Sequence, residues 1–496
     1  MECIEEYLSM FADRSPDKTA VIVKDEFTSY GRFWEYVRGF ARYLAEICEV
    51  KRGECVVVKT TQTLSYAISY FSIHLCGGIF VPLEKNITDE KALEIIKETG
   101  ANVYISLQRL MQEKMVWVSC KDVGRLGNEY FDASWSYQFP KMDDSADIMY
   151  TTGTTGKAKG VEVTHRVLLA TAENYITGFA IKPDNVIAVP GPMNHVNALR
   201  KLYTSIMNGS AIVILNGMLS VKAFYHALDE QGVTSLCLPP AYCRMLWQVS
   251  GDKLAEYAGQ IDFVECSTAP VMESDKETLR RQLPNSRLYN NYGLSECGAM
   301  VMYDFNQYRD KLQGCVGKPM VNSHVIIVDE SRREITSSPE HMGLIANRGK
   351  INMKGYWKNP EITASVMQDG YVYTNDIGYF DEDGFLYVAG RKNDTINIGG
   401  LKVEPTEVEE KAFLYEGIQD CICVPIQDDI AGENLKLFVV MKPGYSLDIE
   451  SVASFMRNEL EDYKVPKVYE EIAEIPKNYV GKPDRNAFKN GKRKGE

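Results

Sequence analysis

The sequence predicts an α/β protein, on three observations. Short runs rich in β-branched residues, among them Ala20–Val23, Cys55–Val58, Val186–Val189 and Ala211–Leu215, alternate with stretches of helical apolar spacing. At 496 residues, with 45% apolar and 25% charged side chains, the chain has a globular composition but is too long for one ordinary core. Length alone suggests roughly three domains. From Gly317 onward a β-rich section begins, and the end of the chain returns to alternating strands and helices.

In order, Ile4, Leu8 and Phe11 share a helical face. Ala20–Val23 and Phe27–Thr28 flank the turn Lys24-Asp25-Glu26, a hairpin signal. An amphipathic helix is expected from Tyr30 to Ile47, then a strand at Cys55–Val58 and a helix from Tyr66 to Leu75. The strand Ile79–Leu83, the helix Asp89–Glu98 and the strand Asn102–Ser106 follow, so mainly parallel sheet is expected. Further helices are expected at His165–Gly178 and Leu199–Met207, with buried strand ends at Ser235–Pro240 and Phe263–Cys266. Val325–Asp329 opens the β-rich section. Near the end, Cys421–Val424 and Leu435–Val440 read as strands and Ile449–Leu460 as a helix.

Composition excludes several classes of function. A net charge of −13 argues against general affinity for nucleic acid or anionic membrane, and the basic tail Lys489–Lys494 reads as a solvated terminus. The twelve cysteines contain no Cys-x-x-Cys. Cys421 and Cys423 fall on one face of a strand and read as small buried residues, not as a zinc site or a disulfide framework. The start, Met1-Glu2-Cys3-Ile4-Glu5-Glu6, is acidic and lacks an apolar signal core. There is no run of about 18 apolar residues, so no membrane span is expected and the expected location is cytoplasmic. Oligomeric state is not legible.

The stretch Tyr150–Gly160 concentrates four threonines, three glycines and two lysines. Glycines let backbone N–H groups turn towards an anion, and hydroxyl and ammonium groups add donors, which is the chemistry of a polyphosphate cradle. It is not the P-loop of ATPases and GTPases. Thr151 stands where that motif needs Gly, and Ala158 where it needs Ser or Thr. Taken alone, the alternative is a solvated surface loop.

The stretch resembles the phosphate-binding loop of the AMP-forming adenylating enzymes, a superfamily of acyl-CoA synthetases, luciferases and peptide-synthetase adenylation domains. It differs from their usual wording only at Thr152 and Ala158. The resemblance is nearest to acyl-CoA synthetases and is dense over residues 150–488. It implies a large N-terminal domain of α/β layers with a small β-rich subdomain, plus a small mobile α+β C-terminal domain. The expected domains are 1–392 and 393–496, with the hinge at Asn393 in Gly390–Gly400. The N-terminal region is expected to contribute little to the reacting site.

The resemblance also implies residue roles. Thr151, Thr152, Gly153, Thr154, Thr155, Gly156, Lys157 and Lys159 would hold the ATP phosphates. His195, on a strand-to-loop exit, would line the acyl pocket and swing with the bound carboxylate; a lone His is otherwise structural. Asn197, Ser267, Thr268 and Gly293 would join it at the acyl and coenzyme A side. Amino-acid-activating members carry an Asp near His195, and Met193, Asn194 and Asn197 provide none, which argues against an α-amino acid. Ala269 would lie beside adenine and Tyr292 would offer it a ring face. Ser295 would point at the α-phosphate, and Glu296, with Thr151, would bind Mg²⁺. Read without the family, Tyr289–Glu296 is a polar turn before a helix.

Asp376 would accept from the ribose hydroxyls, with Arg391 a second ribose or phosphate ligand. Asn375 replaces the usual Gly before it and is expected to preserve a left-handed turn. Gly399 and Gly400 would let backbone approach the second substrate. Lys482, in Gly481-Lys482-Pro483-Asp484-Arg485, would be the catalytic lysine.

The function implied is a two-step ligase. A carboxylic acid and ATP give an acyl-adenylate and pyrophosphate; the acyl group then passes to the thiol of coenzyme A. Two alternatives stand beside it: a phosphopantetheine on a separate carrier protein as acceptor, and a non-catalytic nucleotide-binding protein on the same fold. The sequence does not name the acid.

Overall fold

The computed structural model describes the chain apart from residues 111–114, 152–158, 216–219, 312, 393, 395, 399–400, 429–431, 478–482, 490–491 and 494–496. The chain divides into two compact units.

The first unit takes Met1–Lys311, Gly317–Val325 and Asn347–Val372. One of its sheets runs in the order Gly298–Asp304, Arg287–Leu294, Phe263–Cys266, Ser235–Cys237, Val186–Val189, Ala211–Ile214, Thr19–Val23 and Glu26–Ser29. Its inner pairings are parallel, as the strand–helix alternation predicts, an antiparallel hairpin flanks them on each side, and Gly298–Asp304 pairs onward with Cys315–Pro319. A second sheet runs Gly355–Tyr356, Lys159–Thr164, Ser145–Thr151, Ile79–Pro82, Cys55–Lys59, Val103–Ser106 and Val116–Ser119.

The helices obey local rules. Ser29 caps Tyr30–Glu46 by accepting from Arg32 N. Thr88 caps Asp89–Thr99, and Gly100 ends it in a left-handed conformation (φ 75°). Leu64–Leu75 carries apolar residues all round, and every residue from Tyr66 to Leu75 is buried, Ser69, Ser72 and His74 among them. It packs in one core with residues of Tyr30–Glu46, His165–Gly178 and Val196–Asn208.

A buried charged cluster crosses this core. His74 Nδ1 lies 2.9 Å from Glu5 Oε1, and His74 Nε2 lies 3.0 Å from Asp147 Oδ1. His165 Nδ1 is 3.8 Å from Glu5 Oε2. Asp147 sits on the strand that enters the Gly/Thr/Lys-rich stretch after Tyr150, and His165 opens the helix after the strand that leaves it.

The second unit takes Leu312–Val316, Ile326–Ala346 and Tyr373–Glu496. Tyr371–Phe380 and Leu386–Arg391 form an antiparallel pair. A further sheet runs Leu401–Val403, Ile396–Ile398, Gly432–Met441 and Ile418–Asp428, with Val468–Glu471 parallel to Gly432–Met441. Helices Pro405–Ala412 and Ile449–Glu459 share its apolar core, in which Cys421 and Cys423 are buried together.

One expectation is corrected. Asn375 lies inside the strand Tyr371–Phe380 and has no left-handed backbone; the positive φ angles fall earlier, at Asp369 (51°) and Gly370 (80°). The reversal is made before the strand, and Asn375 needs only the extended conformation that suits any residue.

Candidate functional site

The phosphate stretch joins two antiparallel strands, Ser145–Thr151 and Lys159–Thr164, with Tyr150 opposite Gly160 and Thr151 opposite Lys159. This agrees with rejecting the P-loop, whose Gly-rich turn opens a helix. Thr152, Gly153, Thr154, Thr155, Gly156 and Lys157 lie outside the described residues, as does the side chain of Thr151.

The strand Lys159–Thr164 pairs on its other edge with Gly355–Tyr356. That register brings three groups together. Lys159 Nζ stands 5.5 Å from the centre of the Tyr356 ring, and the Tyr356 hydroxyl donates to Glu296 Oε1 at 2.9 Å. Met353 N donates to the Glu296 carbonyl at 2.7 Å, so side chain and backbone of Glu296 are both held. Burial and the facing carboxylate push the Tyr356 phenol well above its ordinary pKa, so it remains a donor.

Glu296 and Ser295 occupy the tight turn between Arg287–Leu294 and Gly298–Asp304. The segment is a hairpin, which removes the reading of a turn before a helix. Its register shifts between Tyr292 and Gly293, and a Cβ on Gly293 would meet the Gly298 carbonyl oxygen at 1.9 Å, so only glycine fits there. In the turn after Phe263–Cys266, Thr268 adopts φ 77° beside the half-buried Ala269. A β-branched residue in that region is strained, and such strain collects at functional turns.

His195 caps the helix Val196–Asn208, its Nδ1 accepting from Asn197 N at 3.3 Å. A neutral imidazole bonded in this way carries its proton on Nε2. The loop before it is tied to the N-terminal segment, where the Tyr66 hydroxyl donates to Met193 O and Met193 N donates to Thr61 Oγ1. The first 150 residues thus hold the His195 loop from behind.

Asn197 Oδ1 accepts from Lys201 Nζ at 2.9 Å, and Asn197 Nδ2 reaches Ser267 Oγ at 3.5 Å. Lys201 is 3.0 Å from Glu265 Oε1, and their side chains are 4% and 1% exposed. Ser267 Oγ and Asn291 Nδ2 donate to the same oxygen at 2.7 and 2.6 Å. Burial alone would raise the Glu265 pKa; Lys201 and these donors outweigh it and lower it. An acid therefore does join the network of Asn197, through Lys201 and Ser267, but it is neutralised by the lysine.

In the second unit, Asp376 and Arg391 are cross-strand partners, with Arg391 Nε 3.2 Å from Asp376 Oδ1. Asp376 is buried, whereas the Arg391 side chain is 48% exposed. Asn393, Gly399, Gly400 and Lys482 lie outside the described residues. Pro483 pairs with Lys477, Asp484 N donates to Pro476 O, and Arg485 grips Glu409 with bonds of 2.7 and 2.8 Å.

The model of the AMP-binding enzyme family matches residues 8–357, more than two thirds of the chain. The chain belongs to this family. The model of the family's C-terminal domain matches residues 407–482. A long-chain-fatty-acid–CoA ligase of Bacillus subtilis is 29% identical over 97% of this chain and 92% of its own length. A 2-succinylbenzoate–CoA ligase of a Geobacillus strain is 26% identical over 98% and 97%. Among solved structures, o-succinylbenzoate CoA synthetase of Bacillus subtilis with its acyl-adenylate superposes with a TM-score of 0.87 at 22% identity, each chain covered to 98%. ATP-bound MatB of Rhodopseudomonas palustris gives 0.88 at 20% identity, with the same coverage. These structures share the mixed α/β fold, a large N-terminal part and a small C-terminal one.

Sequence reading did not single out Tyr356, Lys201, Glu265 or Asn291, which the structure ties, directly or through Glu265, to residues that it did. Asn291 lies within Tyr289–Glu296, but only strand register shows what it touches. Lys201 reads as a polar residue on an amphipathic helix, and nothing in the linear pattern reveals that it points inward.

Proposed function

We propose that the chain is an AMP-forming acid–thiol ligase that activates a carboxylic acid with ATP and transfers it to coenzyme A. The observation that carries this is the line Lys159–Tyr356–Glu296, which couples the strand leaving the phosphate loop to the carboxylate expected to meet the metal. The names of the relatives, both CoA ligases, support the acceptor.

In the first step the acid's carboxylate oxygen attacks the α-phosphorus, and the bond to the β-phosphate bridging oxygen breaks, releasing pyrophosphate. The loop Thr151–Lys159 would hold the phosphates, and Lys482 would stabilise charge on the phosphorus oxygens. Glu296 fits a hard cation, since it is a carboxylate whose Oε1 is oriented by Tyr356 and whose second oxygen is an acceptor of the kind such an ion prefers. With the Thr151 hydroxyl it would hold Mg²⁺, which when bound neutralises phosphate charge. Asp376 and Arg391 would take the ribose, and Ala269 and Tyr292 the adenine. In the second step the coenzyme A sulfur attacks the adenylate carbonyl, its proton goes to solvent and AMP leaves. Residues 393–496 would turn about Asn393 between steps, withdrawing Lys482 and bringing Gly399–Gly400 in. A cytoplasmic setting would suit this chemistry, whose acceptor is itself a free thiol.

The test is pyrophosphate release with ATP and Mg²⁺ across a panel of carboxylic acids, with and without coenzyme A. Acid-dependent release that yields AMP and an acyl-CoA supports the reading. Release that coenzyme A leaves unchanged but a pantetheinylated carrier protein accelerates moves the acceptor to that protein. ATP binding with no release for any acid defeats the ligase.

A further inference from the structure

Two residues assigned to the acyl side, Asn197 and Ser267, share one anchor with Asn291. Asn197 is bonded to Lys201, Ser267 to Glu265, and Asn291 to the same Glu265 oxygen. Lys201 also lies over the Tyr175 ring at 4.0 Å, and Tyr175 donates its hydroxyl to Asn197 Oδ1. Burial and the Glu265 carboxylate push the Cys237 thiol well above its usual range, so the sulfur there stays protonated. Among the described residues no N–H or O–H donor reaches the buried Glu265 Oε2, so the carboxylate keeps acceptor capacity.

We infer that the acid activated by this chain is compact and carries a hydrogen-bonding tail, a hydroxyl or an amine, rather than a long alkyl chain. This rests on the ligase reading and on Asn197 and Ser267 lining the acyl site. A polar wall anchored on an ion pair does two things. It stops the pocket, because a longer chain must displace Lys201 or Glu265 and leave the other charge buried and unpaired. It also selects chemistry, because hydrocarbon laid on Asn197, Ser267 and Asn291 strips them of water and returns no hydrogen bond, whereas a hydroxyl does. The ion pair neutralises its own acid, so the wall offers amide and hydroxyl groups rather than a naked charge.

The test uses the full chain with ATP, Mg²⁺ and coenzyme A, and compares kcat/KM for 6-hydroxyhexanoate, 4-hydroxybenzoate, hexanoate and palmitate. A hydroxy acid should exceed palmitate by about 10-fold or more. In Lys201→Met/Glu265→Gln, which removes both charges together and keeps an acceptor for Ser267 and Asn291, that ratio should move towards palmitate by about 10-fold. A general loss of structure would lower all four acids alike and leave the ratio where it was. Palmitate as the best wild-type substrate overturns the inference and leaves the ligase standing. An unmoved ratio in a folded double variant also overturns it. Inactivity with every acid, including those beyond this set, overturns the ligase reading itself.

Discussion

Arg485 holds Glu409 by two parallel hydrogen bonds and donates a third, from Nη1, to the carbonyl of Cys423. The guanidinium stands three residues after Lys482, so the same grip that closes the small domain also fixes one end of the lysine segment.

Three variants separate those roles. Lys482→Ala is expected to abolish adenylate formation while largely sparing thiolation of supplied adenylate. Arg485→Ala should cost about 3 kcal/mol of stability, because it strands Glu409 in a largely buried position. Arg485→Lys should fold but slow adenylation, since an ammonium cannot reproduce the two-point contact. Equal loss of both half-reactions in Lys482→Ala would contradict the lysine's assignment.

Tyr356→Phe removes the hydroxyl that orients Glu296. A hydrogen bond to a carboxylate is worth about 1.5–3 kcal/mol, so kcat/KM should fall roughly 10- to 100-fold. The loss should shrink as Mg²⁺ is raised, because the carboxylate itself remains. A Mg²⁺ titration parallel to wild type would remove Tyr356 from the site.

Asp376→Asn should raise the KM for ATP by about 10-fold, with little effect on the acid's KM. 2′-Deoxy-ATP supplies the control. If Asp376 meets the ribose, the deoxy analogue penalises wild type more than the variant. The same penalty in both would place the ribose elsewhere.

The buried histidines give a pH signature. Burial alone would lower the His74 pKa, but Glu5 and Asp147 outweigh it and raise it to about 9. Its folded pKa lies above the unfolded value near 6.5, so the stability it adds is complete below pH 6.5 and drains away as pH climbs towards 9. His165 does the opposite. Desolvation, aided by neighbouring His74, pushes it down to about 3 against the pull of Glu5, and the stability it adds is lost as pH falls below 6.5. Thermal melts between pH 6 and 9.5 should show a fall in Tm on the alkaline side that disappears in His74→Gln.

Much of this was legible because it is local. The helices Tyr30–Glu46 and His165–Gly178 announce themselves by period and boundary, and the phosphate stretch by its composition. Asn375 was misread because a motif's spacing does not say which of its residues makes the turn. Lys201 and Glu265 were invisible because their partnership spans 64 residues and exists only once Val196–Asn208 packs beside Phe263–Cys266. The role of Tyr66 and Thr61 behind Met193 is equally non-local.

Glu5 lies in the first turn of the opening helix, yet it is the counter-ion of a histidine that also grips Asp147 on the strand Ser145–Thr151, which enters the proposed phosphate loop. Whoever trims the N-terminus for expression, or replaces its first residues with a tag, deletes that anion and leaves His74 to share a single carboxylate. The harm would surface some 145 residues away, as weakened nucleotide handling in a preparation that otherwise passes for intact. An affinity handle therefore belongs upstream of an untouched Met1.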